Sequence, residues 1–109
     1  MARKTRMERR IAQLSAALST EDPHGRWRAA HCLHAIAFSP LAPRVPEAAW
    51  PLVQLLDDPD KDVRYVASMS VARIGTPEAL AALEEASGRD NGEWAAYFLK
   101  LARDGHMNY

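Results

Sequence analysis

Three of the four histidines and the only cysteine lie close together in the sequence, and these residue types bind transition metals. His31 and His34 are three residues apart, so a helix would present both on one face. A tight zinc site needs at least three protein ligands, and His24, in the preceding turn, is the nearest further candidate. Cys32 points about 100° away from the histidine face. We therefore expect a structural thiol and two histidines on a polar helix face, with no metal and no other cofactor.

An acidic cluster lies in the middle of the chain and comprises Asp57, Asp58, Asp60 and Asp62. It lacks the glycine and the terminal glutamate of a calcium-binding loop. Acidic residues before a helix favour its positive N-terminal end, which explains the cluster without a ligand. The chain also has no glycine-rich phosphate loop, nucleophile elbow, HExxH or CxxC motif. The sequence therefore predicts a protein that is not an enzyme.

The length and charge of the chain limit the number of domains and the kinds of partner that we expect. At 109 residues we expect a single domain over 1–109. Lys plus Arg equals Asp plus Glu, at 14 each, so no overall charge favours nucleic acid as a partner. The basic N-terminus is followed by an apolar run too short for a signal peptide, and no stretch approaches the roughly 20 apolar residues of a membrane span. We expect a cytoplasmic protein.

Apolar residues recur at helical spacing, and no segment alternates as a strand does, so the predicted class is all-α. Pro51 predicts a bend in the third helix or a start near Trp50. Gly75 is placed to cap the fourth helix, and Thr76 with Pro77 to start the fifth. We expect turns at 19–25 and 39–46 and a frayed tail at 106–109. The six predicted helices cover about 3–18, 26–38, 47–56, 61–74, 76–87 and 92–103.

The chain repeats itself. A shift of 38 residues places Leu14 on Leu52 and Arg26 on Arg64, and a shift of 28 places Leu52 on Leu80. Three helix pairs follow, over about 3–38, 46–75 and 76–104. Such pairs cannot bury their apolar faces alone and must stack on their neighbours.

The middle pair, residues 51–75, carries the motif LLxDPDxxVRxxAxxxVxxIG and resembles a HEAT repeat, in the short variety also found in phycobilin lyases. The resemblance implies a right-handed α-solenoid of three HEAT-like helix pairs. It also implies a ladder of hydrogen bonds between turns, in which Asp58 and Arg64 match the family's aspartate and arginine. The first pair keeps the arginine as Arg26, whereas the third has Ala86 and Gly92 at the equivalent places, which puts the ladder in doubt there.

In HEAT solenoids the second helix of each pair lines the concave side. The fourth predicted helix leaves Tyr65, Met69 and Ala72 opposite its core stripe, with Arg73 at the edge. These residue types are enriched where proteins bind proteins. The alternative is that packing against the next repeat buries some of them. The predicted binding strip comprises Trp27, His31, His34, Tyr65, Met69, Arg73, Tyr97 and Lys100.

These features favour a non-catalytic module that docks another protein, as an adaptor or as a regulatory or inhibitory subunit. One alternative from the resemblance is a bilin or tetrapyrrole lyase-like subunit or chaperone. A weaker one is a nucleic-acid-binding module that uses the basic N-terminus, Arg3, Lys4, Arg6, Arg9 and Arg10. A solvated helix start is the explanation that we favour for that segment. The exposed repeat ends leave homo-oligomerisation open.

Overall fold

The computed structural model describes residues 5–40 and 45–107, and within them the chain forms helices and no strand. This confirms the all-α class. Parts of the predicted first helix, of the 39–46 connection and of the tail lie outside the described residues. The helices are α1 (Arg6–Ala17), α2 (Pro23–Ala37), a 3-10 helix (Pro46–Leu55), α3 (Lys61–Ile74), α4 (Pro77–Ser87) and α5 (Glu93–Arg103).

The helices lie in two layers. One layer contains α2, α3 and α5 side by side, and the other contains α1, the 3-10 helix and α4. Each helix of the second layer packs on its partner in the first, so that three helix pairs follow one another along the chain. This is the predicted α-solenoid. The central helix α3 contacts α2, the 3-10 helix, α4 and α5.

Helix α2 begins three residues earlier than predicted. The Asp22 carboxylate accepts hydrogen bonds from the backbone amides of His24 and Gly25 and so caps the helix. Pro23 occupies the first helical position, where its missing amide hydrogen costs nothing. The segment predicted as a turn therefore contains a helix start, and the boundary at Arg26 was wrong.

The third helix is a 3-10 helix throughout, and it continues past Pro51. A proline inside an α-helix removes one amide donor and clashes with the carbonyl of the fourth residue before it. The chain adopts the tighter helix instead, starting at Pro46 rather than near Trp50. At its start the hydrogen bond spans three residues, as in a 3-10 helix, because the Ala48 amide donates to the Val45 carbonyl.

One apolar cluster runs through all three pairs, and its most deeply buried large side chains are Leu18, Leu33, Leu52, Val63, Val71 and Leu83. At the end of α5, Gly105 adopts a φ of 80° and the His106 amide donates to the Leu101 carbonyl. This turn directs Met107 into the core, where it is buried. The prediction of a frayed tail was therefore wrong for Met107.

Candidate functional site

Four aromatic rings from α3 and α5 form a continuous group, the aromatic cluster. The Tyr65 ring meets Trp94 edge to face at 4.8 Å between centroids and Phe98 at 5.3 Å. Tyr97 meets Phe98 at 5.0 Å and Trp94 at 5.8 Å. Phe98 is buried, whereas Tyr65 and Tyr97 remain 40% and 52% exposed. Edge-to-face packing fixes the rings, so the cluster presents two tyrosines in held orientations.

A second row of rings follows α2. Trp27 lies between His24 and His31, with centroid distances of 5.9 Å and 5.3 Å. Both histidines are exposed, and the indole between them is half-buried. The row places a flat apolar surface and two titratable rings on the same layer of helices as the aromatic cluster.

His34 and Arg73 join α2 to α3. The Arg73 guanidinium donates to His34 Nε2 at 2.7 Å and lies over the Phe38 ring, 5.4 Å from its centroid. A guanidinium has no acceptor, so the His34 ring is neutral and carries its proton on Nδ1. Burial, then the Arg73 charge and then His31, lower the pKa of His34 to about 4. The pair links two repeats.

The predicted binding strip divides into two sets. Tyr65, Tyr97, His31 and Lys100 are exposed, whereas Trp27, His34, Met69 and Arg73 are half-buried. Helix α3 is flanked by α2 and α5, which narrows its open face to a single row of residues. Ala72, predicted on that face, is buried, and this expectation was wrong.

Trp94 was not among the residues predicted for the binding strip. A shift of 28 residues aligned Glu93 with Tyr65, but α5 begins 32 residues after α3, so the register was wrong by about one helical turn. The signal was present in α5 itself, where Trp94, Tyr97 and Phe98 have the three- and four-residue spacing that places side chains on one helix face.

An arginine at the start of each of α2 and α3 reaches back over the turn before it. Arg26 donates to the carbonyls of Thr20 and Glu21, both at 2.9 Å. Arg64 donates in the same way to the carbonyls of Asp58 and Pro59, at 2.7 Å and 3.0 Å. These bonds satisfy carbonyls that no helix would otherwise pair.

The two turns are joined by Asp58. Its carboxylate accepts from Arg26 Nε at 2.9 Å and from the second terminal nitrogen at 3.1 Å, and it also accepts the Asp60 amide. The same hydrogen bonds raise the pKa of Arg26 above its ordinary value. An arginine of one pair thus binds the aspartate of the next. The inter-turn geometry is that of stacked repeats.

A family model described as HEAT repeats matches residues 11–99. The chain belongs to the HEAT-repeat family. Proteins of this family generally mediate protein interactions and are typically not enzymes. No curated protein and no solved structure matches this HEAT-repeat chain.

The third pair of this HEAT-repeat chain is joined differently. Arg64 Nε is buried and has no hydrogen-bond partner among the residues that the structure describes. The link to the third turn is instead an ion pair at 3.1 Å between Arg89 and Asp57, both well exposed. That turn is also tight, since a Cβ on Gly92 would lie 2.5 Å from the Ala86 carbonyl oxygen. In this HEAT-repeat chain the first and second turns are therefore joined by a buried ion pair, and the second and third turns by an exposed one.

A polar cleft of about 360 Å³ separates the starts of α2 and α3 and is lined by Asp22, Pro23, His24, Trp27, Asp60 and Asp62. Asp22 and Asp60 already accept backbone amides as helix caps. Over 5–40 and 45–107, no three histidine, cysteine or acidic side chains meet in a metal-binding group. Nor does any helix there have the length and apolar character needed to cross a bilayer.

Proposed function

We propose that this HEAT-repeat chain is a non-catalytic binding module that docks another protein on the open face of α2, α3 and α5. The observation that carries the proposal is the aromatic cluster, which leaves Tyr65 and Tyr97 exposed beside half-buried Trp94. Contiguous exposed apolar patches mark interaction sites, and tyrosine and tryptophan are enriched in the energetic centres of interfaces.

The rings of the aromatic cluster are already fixed by packing in the unbound chain. Tyr65 and Tyr97 each contact two further rings of the cluster, so their rotamers are restricted by packing. Binding then immobilises little additional side-chain freedom, which favours affinity. Glu93 and Lys100, both exposed on the same helix, give the rim a charged group of each sign. This is the arrangement of an apolar centre with a polar rim.

The experiment begins with immobilised protein and native lysate, but the test is made with the retained protein after purification. We expect Tyr97→Ala to weaken its binding at least about tenfold by calorimetry. Trp50→Ala is the matched control, because Trp50 is 41% exposed but lies in the other layer of helices. It should bind as the wild type does.

Two outcomes would overturn the proposal. In the first, the purified partner binds Tyr97→Ala with wild-type affinity and loses binding to Trp50→Ala, which would move the surface to the other layer. In the second, lysate yields only a coloured tetrapyrrole or nucleic acid, whose binding survives purification.

A further inference from the structure

Away from the aromatic cluster, an apolar groove of about 450 Å³ runs between the 3-10 helix and the junction of α3 with α4. It is lined by Pro46, Glu47, Trp50, Ile74, Thr76 and Glu78, and we call it the acidic groove. Its only charged groups are Glu47 and Glu78, which are exposed and form no ion pair within the described part of the chain. The Trp50 side chain, which lines this groove, is 41% exposed.

A second groove, of about 290 Å³, lies between α1 and α2. Its floor is apolar, formed by Leu14, Ala17, Ala29 and Cys32. Arg10 and Arg28 flank it, are exposed and likewise form no ion pair among the residues that the structure describes. We call this the basic groove.

We propose that copies of this chain associate head to tail, with Trp50 and the acidic groove of one copy docked on the basic groove of the next. The two surfaces match in kind, since each has an apolar centre and two charges of one sign that form no ion pair over 5–40 and 45–107, and the signs are opposite. Trp50 supplies an exposed apolar side chain that can pack on the open apolar floor of the basic groove.

The charge distribution of the whole sequence favours the same arrangement. Its net charge is zero, but the first ten residues carry five basic groups and one acidic group. Arg10 belongs to that basic segment, and both glutamates of the acidic groove lie in the compensating remainder. A neutral molecule with separated charge attracts its own copies end to end, and salt weakens that attraction.

The geometry also fixes the type of assembly. The two grooves are different surfaces, so the contact is heterologous and a docked pair still has one free groove of each kind. Association then continues beyond a dimer. The acidic groove is lined by six residues and the basic groove by seven, whereas each side of a stable complex contributes roughly 20–30, so the contact should be weak.

The test is sedimentation velocity of the full chain over a concentration series, with reductant present so that Cys32 forms no disulfide. In low salt we expect the average mass to rise steadily above that of the 12.1 kDa monomer, and to fall back in high salt. Glu47→Lys/Glu78→Lys and Arg10→Glu/Arg28→Glu should each remain monomeric alone. Mixed together they should associate again, because each variant retains the groove that the other has lost.

Trp50→Ala should weaken association, whereas Tyr97→Ala should leave it unchanged. These two variants distinguish self-association from the proposed docking of another protein, which depends on Tyr97 and not on Trp50. The inference is overturned if the wild type remains monomeric at every concentration, if growth stops at a dimer, or if the mixed charge variants do not associate. Association that is lost in Tyr97→Ala and kept in Trp50→Ala would also overturn it.

Discussion

Arg26 and Asp58, 32 residues apart, form a two-point ion pair that joins the first turn of the array to the second, with N–O distances of 2.9 Å and 3.1 Å. The Asp58 side chain is only 5% exposed, so the pair lies largely out of water. Both carboxylate oxygens are bound by the guanidinium, and one also accepts the Asp60 amide. The pair therefore fixes the turn before α3 as well as the stacking of the two repeats.

Asp58→Ala removes all three of these hydrogen bonds and leaves Arg26 without its counterion. We expect the melting temperature to fall by about 8–15 °C, measured by circular dichroism. Asp57→Ala is the neighbouring control, because Asp57 is exposed and takes part in one surface ion pair with Arg89. It should shift the midpoint by less than about 3 °C. Equal shifts for the two variants would show that the buried rung does not hold the array together.

Ser68 and Ser70 are both completely buried in α3, but their hydroxyls differ. Ser70 Oγ donates to the Val66 carbonyl at 2.7 Å, whereas Ser68 Oγ has no hydrogen-bond partner within 5–40 and 45–107. Removing an unsatisfied buried hydroxyl recovers its desolvation cost. We expect Ser68→Ala to raise the free energy of unfolding by about 1 kcal/mol and Ser70→Ala to lower it by about the same amount. Urea denaturation of both variants measures this, and a loss of stability in Ser68→Ala would contradict it.

His34 makes stability depend on pH. Its pKa is about 4 in the folded chain, lowered from an ordinary value of 6.5 chiefly by burial. Well above pH 6.5 the ring is neutral in both states and contributes no pH dependence. As the pH falls from 6.5 towards 4, the unfolded chain binds a proton that the folded chain does not, so the free energy of unfolding decreases. Allowing for solvent screening of a half-buried ring, we expect a loss of about 1–2 kcal/mol.

Urea denaturation at several pH values between 7.5 and 4 measures this loss. In His34→Gln the part of the pH dependence that comes from His34 should disappear, while the remainder persists. If the variant and the wild type lose stability in parallel throughout that range, His34 is not the group responsible.

Position 92 requires glycine because the backbone at the end of α4 lies too close for a side chain, and not because of its backbone angles. A Cβ at this position would lie 2.5 Å from the Ala86 carbonyl oxygen and 2.7 Å from that of Ser87. We expect Gly92→Ala to lower the free energy of unfolding by about 2–4 kcal/mol, because the end of α4 and the start of α5 must separate. Gly88→Ala is the control in the same turn, where the nearest atom is at an ordinary 3.6 Å. A small effect in Gly92→Ala would mean that the turn adapts easily.

The sequence predicts the helix pairs because apolar spacing and capping residues are local signals. Gly75 ends α3 with a φ of 69°, and the Thr76 hydroxyl caps α4, both as predicted. The start of α2 was misplaced because Asp22 and Pro23 were interpreted as turn residues, although they also form a helix start. A single sequence contains both signals, and only the packing of α2 decides between them.

The surface was harder to predict than the core. The exposure of α3 depends on how closely α2 and α5 approach it, which no periodicity within α3 reveals. Ala72 is buried for this reason. Trp94 was missed because α5 begins 32 residues after α3, later than the shift of 28 indicates. His34 and Arg73 are 39 residues apart in the sequence. Their link depends on how the two neighbouring helices are aligned along their axes, which the sequence does not show.

The central position of α3 affects how the chain unfolds. Long repeat arrays unfold from their ends, because each repeat contacts only its neighbours and separates from them independently. In this chain α3 belongs to the middle pair and contacts helices of both end pairs, so removing either end pair exposes part of the same buried helix. We therefore expect a single cooperative transition. A partner that bound across α3 and α5, as proposed, would therefore stabilise all three pairs at once.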